Sequence, residues 1–234
     1  MLLALDTSTH NVGLALYNGV QVLSEAAWNS RDYHTVELAP AVSELLAKAD
    51  MRVAELQVLA VATGPGSFTG LRIGLALAKG LALAQHLPLV GVPTLDILAA
   101  SQPVREEPLA AVLRAGRGRL AVGWYRAGKD PYEDRFKKPE QLAWLSTGEV
   151  EVLTAAELSQ RIHKPTLVCG ELTDDEQRLL ARKRKNVILA TPAQSLRRPA
   201  FLAEIAWRRW QAGLVDDPAA LSPFYLHYNE PIPG

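Results

Sequence analysis

The chain of 234 residues is 48% hydrophobic and carries 25 basic and 25 acidic residues, a formal net charge of zero. That length and apolar share suffice for one large core or two small ones, and the charge balance gives no bulk attraction to nucleic acid or anionic membranes. One cysteine, Cys169, excludes an intrachain disulfide framework and a cysteine-rich zinc site.

Leu2–Leu5 is a short apolar run ending at Asp6 and predicts a buried strand. No charged leader precedes it, as expected of a cytoplasmic protein. Val12–Tyr17 and Val20–Trp28 flank Asn18-Gly19, a dipeptide that favours tight hairpins. From Tyr33 to Ala49 the periodicity turns helical, with Val36, Ala39, Val42, Leu46 and Ala49 on one stripe. Asp32 is its candidate N-cap, and Pro40 predicts a kink.

The strand Val58–Ala62 then runs into ATGPGSFTGLRIGLALAKG, Ala62–Gly80. A Walker loop is excluded, because Gly66 and Gly70 enclose too few residues and Leu71-Arg72 follows in place of Lys-Ser/Thr. No glycine triplet has dinucleotide spacing either. Amides at the start of the following helix, Thr69–Gln85, offer an anion site; a tight strand-to-helix turn without ligand is the alternative.

In that helix Gly70, Gly74 and Ala78 recur every fourth residue, and so do Ala76, Gly80 and Ala84. Residues four apart share a face, so the helix has two ridges almost without side chains. Each internal glycine costs about 1 kcal/mol relative to alanine, which implies close backbone approach on both sides. One side is expected to meet its own sheet and the other a foreign helix; packing within the chain alone is the alternative. The expected interface uses Gly70, Gly74 and Ala78 for close approach, Leu71 and Leu75 as anchors, and Arg72 and Lys79 at the rim. These two charges also argue against a membrane span, which needs about 20 apolar residues.

Leu89–Val92 reads as a strand and Thr94–Ala100 as a helix. Gln102–Pro108, with two prolines and three charges, reads as a linker dividing the chain into domains 1–104 and 105–234. Beyond it, Leu109–Ala115 and Arg119–Tyr125 pair around Gly116-Arg117-Gly118, and Lys129–Gln141 reads as irregular. Thr154 with Glu157 and Thr173 with Glu176 are capping boxes opening two helices. Strands are expected at Pro165–Cys169 and Val187–Ala190, and a last helix from Pro199 to Gly213.

Catalytic chemistry is hard to find. The histidines at 10, 34, 86, 163 and 227 never stand three or four apart, so no helix carries a metal-binding pair. Ser67 follows Gly66 directly, which breaks the nucleophile-elbow pattern. Asp6-Thr7-Ser8-Thr9 after the first strand can meet an anion, although such hydroxyls also cap turns.

The motif ATGPGSFTGLRIGLALAKGLA, with LLALDTST, RDYHTVELAP, GVPTLDILAA and PFYLHYNE, resembles the TsaB (YeaZ) family over essentially the whole chain. The resemblance implies an α/β, two-domain actin-like, Hsp70-like, sugar-kinase-like (ASKHA) fold, each domain a mixed sheet flanked by helices. It implies a non-catalytic subunit of the bacterial complex that adds a threonylcarbamoyl group to tRNA adenosine next to the anticodon. The implied partners are the catalytic TsaD-type subunit, bound through first-domain helices, and a TsaE-type ATPase. Alone, the chain would form a homodimer; tRNA would be met only through the complex.

Actin-like folds place a phosphate loop after the first strand, which makes Asp6, Thr7 and Ser8 candidate cofactor-binding residues. No nucleotide is expected on the chain alone, and ATP or ADP at the complex interface is implied. Catalytic relatives carry two histidines four apart; here His34 is followed by Leu38. Many relatives have acidic residues where this chain has Arg114, Arg117 and Arg119, an RNA phosphate contact or a solvated hairpin. The alternative is a stand-alone ATPase or small-molecule kinase of the same superfold, which needs an adenosine motif that Gly170-Glu171 supplies poorly.

Overall fold

The apolar runs of the first half join into one mixed sheet. In the computed structural model, which describes residues 1–30, 34–132, 142–183 and 185–226, β1 (Leu2–Asp6) is buried along its whole length. It runs antiparallel to β2 (Asn11–Tyr17) and parallel to β4 (Val58–Gly64), so both of its faces need cover. β2 turns into β3 (Val22–Asn29) through Asn18-Gly19, where the Asn18 carboxamide accepts from the amides of Val20 (2.8 Å) and Gln21 (2.7 Å). β5 (Leu89–Pro93) extends the sheet beyond β4, giving the order β3-β2-β1-β4-β5. Helices α1 (His34–Lys48) and α2 (Phe68–Gln85) cover one face, where Leu38, Val42, Leu75 and Ala78 meet Leu3, Leu5, Leu14 and Val61.

The second half repeats this plan. β6 (Leu109–Gly116) pairs antiparallel with β7 (Arg119–Lys129), which pairs with β8 (Leu142–Ser146). β10 (Thr166–Gly170) and β11 (Val187–Leu189) add in parallel, giving β11-β10-β6-β7-β8, while β9 (Glu151–Leu153) pairs beside β7. α4 (Ala155–Arg161) and α5 (Asp174–Ala181) open with the capping boxes expected from the sequence. The first half thus runs strand, strand, strand, helix, strand, helix, strand, helix, and the second repeats that order with one extra strand, β9, before its first helix. This is the duplicated, two-domain actin-like fold, two mixed sheets flanked by helices.

The remaining helices pack between the sheets. α6 (Pro199–Gln211), the last helix among the described residues, lies on the first sheet, with Leu202, Ala203 and Ala206 against Leu2, Ala4, Ala15 and Ala60. α3 (Thr94–Ala100) sends Leu95, Leu98 and Ala99 to the second sheet and Ile97 toward the first.

Two expectations change here. The sequence assigns the last helix and tail to the second domain, yet both pack on the first sheet. The small residues of α6 fit its uncovered face, and its β5 edge still needs backbone partners. The tail supplies one, the Asp216 amide donating to the Leu89 carbonyl (2.8 Å), and it also binds the end of β4, the Phe224 amide donating to the Thr63 carbonyl (2.7 Å). β8 and β9 have no expected counterpart, being too short and irregular in pattern to announce themselves. Asp32, Tyr33, most of the expected irregular stretch (residues 133–141) and His227 lie outside the described residues. No helix among the described residues is long and apolar enough to cross a membrane.

Candidate functional site

The turn that follows β1 is the most polar point of the interior. Asp6, Thr7, Ser8 and Thr9 are all buried. One oxygen of the Asp6 carboxylate accepts from the amide (2.9 Å) and hydroxyl (2.5 Å) of Ser8. The Thr7 hydroxyl donates to the Gly70 carbonyl at 2.7 Å, and the Ser67 amide donates to the Ser8 carbonyl at 2.6 Å. Ser67 also caps α2, its hydroxyl accepting from the Gly70 amide at 3.2 Å.

The glycines of the motif serve this contact. A side chain at Gly66 would collide with the Ser8 carbonyl, one at Gly70 with that of Thr7, and one at Gly74 with the Thr7 hydroxyl. The Gly70–Gly74–Ala78 ridge therefore faces the chain's own β1 turn, and Leu71 and Leu75 are buried beside it. Of the expected interface residues, Gly70, Leu71, Gly74, Leu75 and Ala78 are thus buried within the chain itself.

The second ridge stays outside. Ala76, Gly80 and Ala84 are exposed, and nothing lies within 4 Å of where a Gly80 side chain would start. Leu83 (67% exposed) flanks it, with Phe68 (54%) at the helix start. Arg72 is exposed and Lys79 half-buried. The Arg72 guanidinium sits 3.6 Å from the Phe68 ring centre, and its Nε donates to the Tyr225 hydroxyl at 2.9 Å. The signal that separates the ridges was in the sequence: Arg72 and Lys79 share the face of Ala76 and Leu83.

A residue missed at the sequence level completes the turn. Arg197, just before α6, is buried. Its Nε donates to the second Asp6 oxygen (2.7 Å), Nη1 to Glu171 (3.2 Å), and Nη2 to the Thr9 hydroxyl (2.8 Å) and Asn11 carbonyl (3.2 Å). Burial works to discharge this guanidinium, but the carboxylates of Asp6 and Glu171 outweigh it and hold its pKa above the ordinary value. Both Asp6 oxygens and the Thr7 and Ser8 hydroxyls are thereby engaged within the chain. Asp6, Thr7 and Ser8, the expected cofactor-binding residues, are thus bonded to their own chain, and the turn presents no free carboxylate. Only the dipeptide Arg197-Arg198 before Pro199 marked the place, and it reads equally well as a helix start.

Beside this turn a cleft of about 720 Å³ separates the halves. His10, Ser67 and Phe68 line it from the first half, Leu113 and Arg114 from the second, and Tyr225 from the tail. Arg117 stands exposed at the hairpin tip between Gly116 and Gly118, all three with positive φ (50°, 82° and 69°). Among the described residues no cluster of His, Cys, Asp or Glu could hold a metal ion. Cys169 is no nucleophile, because burial pushes its thiol up to about 12.

Comparison with known proteins adds to this geometry. A family model described as TsaD, tRNA N6-adenosine threonylcarbamoyltransferase, matches residues 21–221. The tRNA threonylcarbamoyladenosine biosynthesis protein TsaB of Bacillus subtilis is 30% identical over 98% of this chain and 95% of its own length. The protein of that name from Escherichia coli is 40% identical over 42% of each chain. Among solved structures, YeaZ from Pseudomonas aeruginosa superimposes with a TM-score of 0.75 at 26% identity, covering 96% of this chain and 99% of that one.

Proposed function

The chain belongs to the TsaB family of tRNA threonylcarbamoyladenosine biosynthesis, and from that premise we propose that it is a non-catalytic subunit of the modifying complex. The observation that carries this reading is the filled β1 turn. A carboxylate free to organise phosphate or metal is what phosphoryl chemistry in such a cleft needs, and Arg197 occupies it. On this reading the chain works in the cytoplasm by supporting a TsaD-type catalytic subunit, with a TsaE-type ATPase joining the assembly. tRNA is met through the complex, and a nucleotide binds only where subunits meet.

Docking uses the outer face of α2, with α1 beside it. The Ala76–Gly80–Ala84 ridge lets a foreign helix approach closely, Leu83 and Phe68 supply apolar area, and Arg72 and Lys79 set register. Without its partner the same patch favours a homodimer, since exposed apolar surface of this kind tends to be covered.

Gly80→Leu tests the reading without disturbing the interior, because a side chain there meets nothing. Capture of the TsaD-type subunit should fall about tenfold or more, the equivalent of about 1.4 kcal/mol. Unchanged capture by the folded variant removes the docking face. Calorimetry of the isolated chain with magnesium and ATP tests the other half: micromolar binding would favour a kinase or ATPase.

A further inference from the structure

The two halves are joined by two crossings of the chain. One runs from the end of α3 to β6, the other from β11 to α6. Gln102 in the first donates to the Gln194 carbonyl in the second at 2.5 Å, so the crossings are tied to each other. Two lobes on a paired crossing form a hinge, and such lobes close or open by small backbone rotations.

Arg197 lies in the second crossing and reaches both lobes. Asp6, Thr9 and Asn11 belong to the first, while Glu171 directly follows β10 of the second. The guanidinium is a rigid planar fork, so its contacts fix mutual direction as well as distance. The side chains of Arg197 and Asp6 are each 2% exposed, and parting them would strand a buried charge. Glu171 is 21% exposed and forms part of the cleft wall, which makes it the weaker end of the clamp.

We propose that Arg197 is an interlobe lock, holding Asp6 and Glu171 at once and keeping the cleft at a single opening without a ligand. The proposal concerns the isolated chain and does not depend on its partner. It predicts that the spacing between the His10 and Arg114 walls is a fixed property of the fold. It also assigns Glu171 a role that the filled β1 turn leaves unexplained, since Asp6 alone already pairs the arginine.

Spin labels at Ala47→Cys on α1 and Gln160→Cys on α4, both exposed positions, report the lobe separation by pulsed electron resonance. Cys169 is buried and stays unlabelled. The parent should give one narrow distance peak. Glu171→Ala cuts only the second-lobe contact and leaves Arg197 paired, so the chain should fold, with a broadened distribution extending to longer separations. Glu171→Gln, which keeps an acceptor but drops the charge, should fall between, and it decides the matter should Glu171→Ala fail to fold. A broad distribution in the parent, or one identical in the folded variants, overturns the lock.

Discussion

Gly74 and Gly80 stand six residues apart on α2 and do opposite things. Gly74 is where the helix backbone presses on Thr7, so any side chain must displace a buried hydroxyl already bonded to Gly70. Gly74→Ala should cost about 1–3 kcal/mol, the range of overpacking in a tight interior. Gly80 faces open space in an ordinary helical conformation, so Gly80→Ala should gain about 0.5–1 kcal/mol from helix propensity. Urea titration of both variants checks the pair, and equal effects would mean the two ridges are not distinguished as described.

Asp96 carries a second residue-level prediction. It accepts a hydrogen bond from the Tyr125 hydroxyl at 2.7 Å, and burial raises its carboxyl above the usual aspartate range against the pull of Tyr125 and Arg209. The folded state therefore holds the proton more tightly than the unfolded chain. The stability this carboxyl contributes is complete below the ordinary aspartate pKa and is lost as pH rises through the raised one. Asp96→Asn keeps an acceptor for Tyr125 and cannot ionise, so its stability should decline less than the parent's from acidic to neutral pH. Denaturant midpoints across that range give the comparison; parallel profiles would contradict the assignment.

At the scale of elements, local chemistry wrote itself plainly into the chain. Thr173 accepts from the Glu176 amide at 3.3 Å while the Glu176 carboxylate takes the Thr173 amide at 2.7 Å, closing the box that opens α5. Thr173→Ala should cost about 1 kcal/mol, readable as a shifted denaturation midpoint; no shift would leave the cap without energetic weight. The Asn18-Gly19 hairpin, the inward β1 run and the start of α6 at Pro199 were legible for the same reason, since each signal spans only a few residues. The facing of α2 was less so. Arg72 and Lys79 mark the outer face, but Thr7, against which the inner ridge packs, lies more than sixty positions away. Arg197 was illegible for a stronger version of that reason: nothing near it in the sequence announces a buried pairing with Asp6.

For the whole molecule, the stretch after α6 acts as a strap. It bonds to Leu89 through Asp216, covers Gly91 with Leu221, and reaches Thr63 through Phe224 before Tyr225 meets Arg72. Gly91 also donates to the Asp216 carboxylate at 2.8 Å. Without the strap, β5 presents bare backbone donors and acceptors, the usual start of edge-to-edge association. A chain ending at Gly213 should melt lower, by about 2–4 °C for each kcal/mol lost, and show concentration-dependent association in light scattering. A truncated chain that stays monomeric with an unchanged melting point would show the edge needs no cover.

Where α6 sits has a consequence for how the protein comes into being. Leu202, Ala203 and Ala206 close a face built from residues as early as Leu2 and Ala4. A ribosome therefore delivers the first sheet long before its cover, and that greasy side waits, unburied, through most of the message. Maturation must therefore wait until α6 has been made, and a nascent chain stalled short of α6 is a natural client for whatever shields unfinished proteins.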